Sequence, residues 1–272
     1  MKLYNGFDIP QIGVGTWTLR GYTARQNVRM ALEAGFRHID TAQGYENESE
    51  VGLGIADSGV PRQDIFLTTK VATNIMRKGS EAVRQSIEES LVRLKLDYID
   101  LLLIHWPVKD CVTHTWQVME ECVRQGMVRS IGVSNFNRHH LDDLLAYAEI
   151  RPAVNQIEVH PFLTQEENIA YNQQWDILVE AWGPFGQGDI DVVGHPLLQS
   201  LAEKYQKTAS QIVLRWLVQR NLITIPRAKP HHFAENLEVM DFALTDDDMR
   251  SISSLNKNLR SNVLNDPETF PW

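Results

Sequence analysis

Apolar positions along this chain alternate between two periodicities. Short runs rich in Val, Ile and Leu occupy residues 12–15, 37–40, 65–70, 99–105, 130–134, 154–158, 177–181 and 222–226, each followed or preceded by a helix-length segment. The intervening segments place apolar residues at helical spacing: Val83, Ile87, Leu91 and Leu94 form an i, i+4, i+8, i+11 stripe with charges on the other side. A helix start is legible at Thr208, where Gln211 completes a capping box ahead of Ile212, Val213, Leu214 and Trp216. Before the first run, residues 3–7 with Ile9 read as a small hairpin, because Asn5-Gly6 suits the positive φ angles of a type I′ turn. Strands that alternate with helices predict a parallel sheet covered by helices. Eight strands, with no linker, charge block or low-complexity tract between them, predict one domain over residues 1–272. The expected fold is α/β, a (β/α)8 TIM barrel with an N-terminal β-hairpin as a cap.

Composition narrows the partners. The chain has 272 residues, with 26 Lys and Arg against 35 Asp and Glu, a net charge of −9 spread along its length. That balance argues against a general nucleic-acid or anionic-membrane binder. Hydrophobic residues at 43% and charged residues at 22% are those of a globular protein. The longest apolar stretch, residues 98–106, is interrupted by Asp100 and His105 and is far short of the ~18 residues a membrane helix needs. Cys111 and Cys122 match neither a zinc motif nor a disulfide framework and are expected to pack as small hydrophobes. With no apolar signal core at its start, the chain is expected in the cytoplasm.

In a barrel of this kind the chemistry lies at the C-terminal strand ends. Those ends are polar here: Asp40 with Tyr45 in the following loop, then Lys70, His105, Ser134 with Asn135, and Gln156. A phenol, an ammonium, a carboxylate and an imidazole that face one another form a proton-delivery set. Tyr45 is the natural acid, its pKa of about 10 brought down by Lys70, which Asp40 holds charged. A neutral His105 donates to a carbonyl oxygen and orients it, while a hydride arrives from a cofactor. A hydrolase built on Asp40 with Glu46 or Glu48 explains fewer of these residues.

The order of segments resembles the aldo-keto reductase family over essentially the whole chain. The resemblance is carried by residues 13–17 (GVGTW), 35–42 (GFRHIDTA), Gly44-Tyr45 with Asn47-Glu48, and Thr68-Thr69-Lys70. Further on, it is carried by Asp97-Tyr98 leading to His105-Trp106-Pro107, residues 131–136 (IGVSNF), and Asn155-Gln156-Ile157-Glu158 with His160-Pro161. It implies reduction of a small-molecule carbonyl by NADPH, with Asp40, Tyr45, Lys70 and His105 as a catalytic tetrad and Tyr45 as general acid. It further implies that Ser134, Asn135 and Gln156 hold the nicotinamide carboxamide and that Trp182 stacks on the ring. Residues 182–188 (WGPFGQG) look closest to the bacterial 2,5-diketo-D-gluconate reductase branch. Thr16, Trp17, Asp40, Gly183, Pro184, Phe185, Gly186, Gly188, Ile225, Pro226, Arg227, Ala228, His232, Glu235 and Asn236 complete the implied cofactor contacts. The pyrophosphate is expected along the loop after the seventh strand, where Gly186 and Gly188 permit close approach, since the chain lacks the Rossmann fingerprint.

One segment departs from the family pattern. After the eighth strand, Arg227 keeps a cation, but Ala228 removes a hydroxyl and His232 stands where an arginine is expected. Histidine lacks the bidentate fork, so NADPH stays the first expectation and NADH a live second. Trp17, Tyr45, His105, Trp106 and Trp272, with Phe270 and Pro271, are expected to line an open pocket for small aldehydes, dicarbonyls or keto-sugars. The pairs His139-His140 and His231-His232 are expected to diverge and to bind no metal, and His160 to be structural. A non-catalytic nicotinamide-binding module on the same fold is the alternative reading, and a monomer is the expected state.

Overall fold

The computed structural model describes residues 1–270, so Pro271 and Trp272 lie outside the described residues. Eight parallel strands run in sequence order: β1 (Val14–Gly15), β2 (His38–Asp40), β3 (Phe66–Val71), β4 (Ile99–Ile104), β5 (Val128–Ser134), β6 (Val154–Glu158), β7 (Leu178–Trp182) and β8 (Ile223–Thr224). A parallel bridge between Ile12 and Thr224 joins the last strand to the first. Each predicted run appears as a strand. The seam strands are shorter than predicted, because Pro226 has no N–H to extend a ladder, although its carbonyl still accepts from Gly15 N at 3.2 Å.

The principal outer helices are α1 (Gly21–Ala34), α2 (Glu48–Ser58), α3 (Thr73–Met76), α4 (Ser80–Leu94), α5 (Val112–Arg124), α6 (Arg138–Leu145), α7 (Glu166–Gln174), α8 (Pro196–Tyr205), α9 (Ala209–Gln219), α10 (Phe233–Leu237) and α11 (Asp246–Ser253). The stripe on α4 turns inward, with Val83, Ile87 and Leu94 buried. The predicted box opens α9: Thr208 Oγ1 accepts from Gln211 N at 3.2 Å, and Gln211 Oε1 accepts from Thr208 N at 3.0 Å. Two fully buried tryptophans anchor the layer between helices and sheet, with Trp116 Nε1 donating to the Ile150 carbonyl and Trp216 Nε1 to Ser253 Oγ. Helices α2 and α4 pack so closely that a Cβ on Gly52 would lie 2.2 Å from the Leu94 carbonyl oxygen.

The N-terminal turn seals the lower end of the barrel, where Leu3 and Ile9 pack among Phe66, Leu101, Leu103 and Ile223. It is not the type I′ hairpin expected. Only Gly6 takes a positive φ, +95°, while Asn5 does not, and Leu3 N bonds the Phe7 carbonyl across a three-residue loop. Among the described residues, no helix is long and apolar enough to cross a membrane.

Candidate active site

At the upper end of the barrel the polar strand ends converge. Lys70, on β3, is fully buried and gives its ammonium to Asp40 Oδ1 and Oδ2, both at 2.7 Å, and to the Thr41 carbonyl at 2.8 Å. The same nitrogen lies 3.4 Å from Tyr45 Oη, which a short 3-10 turn (Gln43–Tyr45) presents above it. The Tyr45 and His105 rings meet edge to face, with centroids 5.6 Å apart.

The electrostatics follow from burial and this lysine. Burial opposes the Lys70 charge, but the Asp40 carboxylate, with Tyr45 and Glu180, outweighs it and holds the ammonium above its ordinary value. Burial pushes the Asp40 carboxyl up, and Lys70 and Gln156 pull it back. His105 is pushed down to about 3, by burial and then by the Lys70 charge, so its imidazole is neutral at physiological pH. For Tyr45 the expected direction is corrected: burial raises the phenol above its ordinary value, and Lys70 offsets only part of the rise.

These groups open into a cavity of about 430 Å³ whose lining includes Trp17, Tyr45, His105, Trp106, Trp182 and Phe270. Its lining also takes in Asp40, Ser134, Asn135, Gln156, Ile225 and Arg227, together with Gly183, Pro184, Phe185 and Gly188 from the loop after β7. Phe270 stacks on Trp106 at 3.8 Å between centroids, so the tail does reach the pocket mouth; Trp272 lies outside the described residues.

One side chain ties the rim together. Asn135, with φ +63°, accepts from Trp182 Nε1 at 2.9 Å and donates to the His105 carbonyl at 3.1 Å, which joins β4, β5 and β7. Ser134 Oγ donates to the Gln156 carbonyl at 2.9 Å, and Gln156 Nε2 donates to Asp40 Oδ2 at 2.8 Å. These contacts fix the indole plane and the amide positions in advance.

Of the other predicted contacts, Thr16, Gly186, Pro226, Ala228, His232, Glu235 and Asn236 lie off the cavity lining. Thr16 is buried, as are Ala228, whose carbonyl accepts from Asn27 Nδ2, and Asn236. Pro226 serves the seam between β1 and β8. His232 pairs with Glu235 at 3.2 Å, and Glu235 also bonds Thr208. Arg227 is exposed, bonds Thr18 Oγ1 at 2.8 Å and lies over the Trp17 ring. Gly186 is required by the loop itself: with φ +74°, a Cβ there would sit 2.3 Å from Ile190 Cγ1. Gly188, at φ +92°, has open space where its Cβ would be. Gln187 and Asn265 line the cavity without having been anticipated. Gln187 follows from the loop that carries Gly186 and Gly188, whereas nothing local marks Asn265.

The adjacent histidines do not diverge. The His139 and His140 rings lie 3.9 Å apart, and His139 Nε2 approaches Glu268 at 3.5 Å. His140 Nδ1 accepts from Asn137 N to cap α6, which places the ring's proton on the nitrogen a metal would need. The cluster reads as a helix cap that holds the tail. His231 and His232 are likewise adjacent, at 4.1 Å. His160, buried, pairs with Glu158 at 3.2 Å. Cys122 is buried, its thiol pushed up to about 11 by burial.

A (β/α)8 barrel with a buried Asp-Lys pair, a phenol and a neutral imidazole at the floor of an aromatic cavity defines an oxidoreductase-type site on this fold. Residues 11–257 match the model of the aldo/keto reductase family, and the chain belongs to that family. It is 44% identical to a glyoxal reductase of Bacillus subtilis (strain 168), over 96% of this chain and 94% of that protein. Among solved structures, it is similar to an aldo-keto reductase from a Medee basin deep-sea metagenome library (TM-score 0.92, 41% identity, 96% of each chain). A Bombyx mori aldo-keto reductase in complex with NADP superposes with a TM-score of 0.91 at 38% identity, over 100% of this chain and 97% of that one.

Proposed function

We propose that this protein reduces small aldehydes, ketones, dicarbonyls or keto-sugars to alcohols with NADPH, and that Tyr45 delivers the proton. The observation that carries the reading is the meeting of Tyr45 Oη with the Lys70 ammonium, 3.4 Å away, at the floor of a cavity that His105 also faces. Similarity to a glyoxal reductase supports a small carbonyl substrate.

The cavity fits a nicotinamide nucleotide: a fixed indole face at Trp182, amides at Asn135 and Gln156, open space at Gly188, and a cation at Arg227. Trp182 would cover the ring, Ser134, Asn135 and Gln156 would meet its carboxamide, the Gly183–Gly188 loop would meet the pyrophosphate, and Arg227 would meet the adenosine phosphate. When bound, the reduced nicotinamide supplies a hydride to the carbonyl carbon. Tyr45 donates its proton to the carbonyl oxygen, which completes the alcohol, and Lys70 stabilises the phenolate left behind. The neutral His105 imidazole donates a hydrogen bond to the same oxygen and fixes its place. Asp40 keeps Lys70 charged and pinned. Trp17, Trp106 and Phe270 exclude water from the reacting carbonyl.

The test follows NADPH absorbance with glyoxal for wild type and Tyr45→Phe, with cofactor binding measured by fluorescence. Loss of about a hundredfold or more in kcat with unchanged NADPH affinity is expected. Turnover by the phenylalanine variant at the wild-type rate rejects Tyr45 as donor, and absence of turnover in wild type despite NADPH binding reduces the protein to a cofactor-binding module.

A further inference from the structure

Below the rim, the barrel holds a carboxyl that this proton delivery does not use. Glu180 on β7 stands in register with Gln156 on β6 and Ile223 on β8, fully buried. Among the described residues, neither of its carboxylate oxygens makes a well-directed hydrogen bond, although the Gln156 amide lies near enough to favour its ionised form. A carboxyl in such a place needs a counter-charge or a proton.

Among the described residues, two cationic candidates stand near it, His38 and Lys70, and both are unavailable. His38 on β2 brings Nε2 to 3.8 Å from Glu180 Oε1, but that nitrogen bonds Thr68 Oγ1 at 3.0 Å. Burial, with Lys70 adding to it, holds His38 at about 3, hence neutral. Lys70 on β3 is charged but commits its ammonium to both Asp40 oxygens and the Thr41 carbonyl. The other groups facing Glu180 are the Asp40 carboxylate, which repels a second negative charge, the Tyr45 phenol, and uncharged Gln156. Glu180 therefore carries a proton at neutral pH; burial, then Asp40, push it up to about 8, against Lys70 and Gln156.

We propose that Glu180 is a positioning residue for the proton donor. As a neutral acid it leaves the Lys70 charge to Asp40 and Tyr45; once ionised, it claims part of that charge and weakens Tyr45 as an acid. The inference rests on Tyr45 being the donor. Its sign follows from electrostatics: a new negative charge near the phenol disfavours the phenolate, and Glu180 is among the groups that raise Tyr45. Reduction should slow as Glu180 ionises.

The experiment measures the single-turnover rate of NADPH oxidation by glyoxal between about pH 6 and about pH 9.5, so that product release does not mask the step. Wild type, Glu180→Gln, Glu180→Asp and Tyr45→Phe are compared by the ratio of low-pH to high-pH rate. Wild type is expected to fall about three- to tenfold through a step near pH 8. Glu180→Asp keeps a step and Glu180→Gln loses it. A wild-type profile without the step, or a step that survives in Glu180→Gln, overturns the proposal. Should the glutamine variant fail to fold, infrared spectra of wild type decide. A protonated-carboxyl band that disappears over the pH range of the rate step supports the proposal, and its absence at neutral pH overturns it. A Tyr45→Phe variant with wild-type turnover removes the donor assignment itself, whereas an inactive Tyr45→Phe beside an unaltered Glu180→Gln profile removes only the role of Glu180.

Discussion

Replacing Lys70 by methionine keeps the aliphatic stem and deletes the ammonium, which makes three short hydrogen bonds and faces Tyr45 at 3.4 Å. Asp40 is then left buried, with only the Gln156 amide as a donor at 2.8 Å. Breaking a buried pair from one side costs about 3–5 kcal/mol, because the remaining charge must be neutralised or left unpaired. For a chain of this size that corresponds to a fall in Tm of about 6–15 °C. Lys70→Met with Asp40→Asn should recover part of the loss, since the orphaned charge is gone. Activity should not recover with it: without the ammonium no cation offsets the burial that raises Tyr45, and kcat should fall by about a hundredfold or more. Thermal melts and NADPH-coupled kinetics on the same preparations separate the two effects. A single variant that melts within about 1 °C of wild type would refute the reasoning, as would a double variant that regains turnover.

Arg227→Ala should raise the KM for NADPH about tenfold or more, the worth of one charge-assisted hydrogen bond, and leave the KM for NADH nearly unchanged; an equal rise for both cofactors would show that Arg227 does not meet the phosphate. Gly52→Ala should destabilise by about 2–3 kcal/mol in urea unfolding, because the new methyl meets the Leu94 carbonyl rather than a side chain that can move; a neutral result would mean that α2 and α4 can part at no cost. Glu180, with its folded pKa of about 8 above the ordinary carboxylate value, binds a proton in the folded chain that the unfolded chain has lost. Its contribution to stability is present at low pH and is lost as pH rises from the unfolded carboxylate range through about 8. Urea midpoints for Glu180→Gln should therefore fall less with pH over that window than those of wild type.

The sheet and the four rim residues were legible because each rests on a local pattern: apolar runs of strand length, and polar side chains placed just after them. Asp40, Tyr45, Lys70 and His105 come together as their strand ends required. What lay beyond the sequence depends on distance across the fold. Glu180 reads as an ordinary polar residue within a strand, and only the closed barrel removes it from water. Asn265 reaches the cavity through an irregular tail, which has no periodicity to read. The loop glycines could be assigned to a ligand by motif alone, yet the need for Gly186 comes from Ile190, four residues away. For His139 and His140, helical spacing argued for divergence, while the start of α6, with Nδ1 of His140 turned back to Asn137 N, brought the rings together.

The turn that seals the bottom of the barrel also sets an order of events. Leu3 and Ile9 are made before the residues that cover them, which include Leu101, Val154 and Ile223. The Asn5 side chain waits for Ser130 Oγ, and the Tyr4 hydroxyl for the Arg151 carbonyl. Contacts across such sequence separations form late and slowly. During synthesis these apolar side chains precede β8 and stay uncovered until it exists, so a turn made before the barrel is among the last parts to be buried. Substitutions there should act on folding yield and chaperone dependence more than on turnover, since the site lies at the opposite end of the barrel.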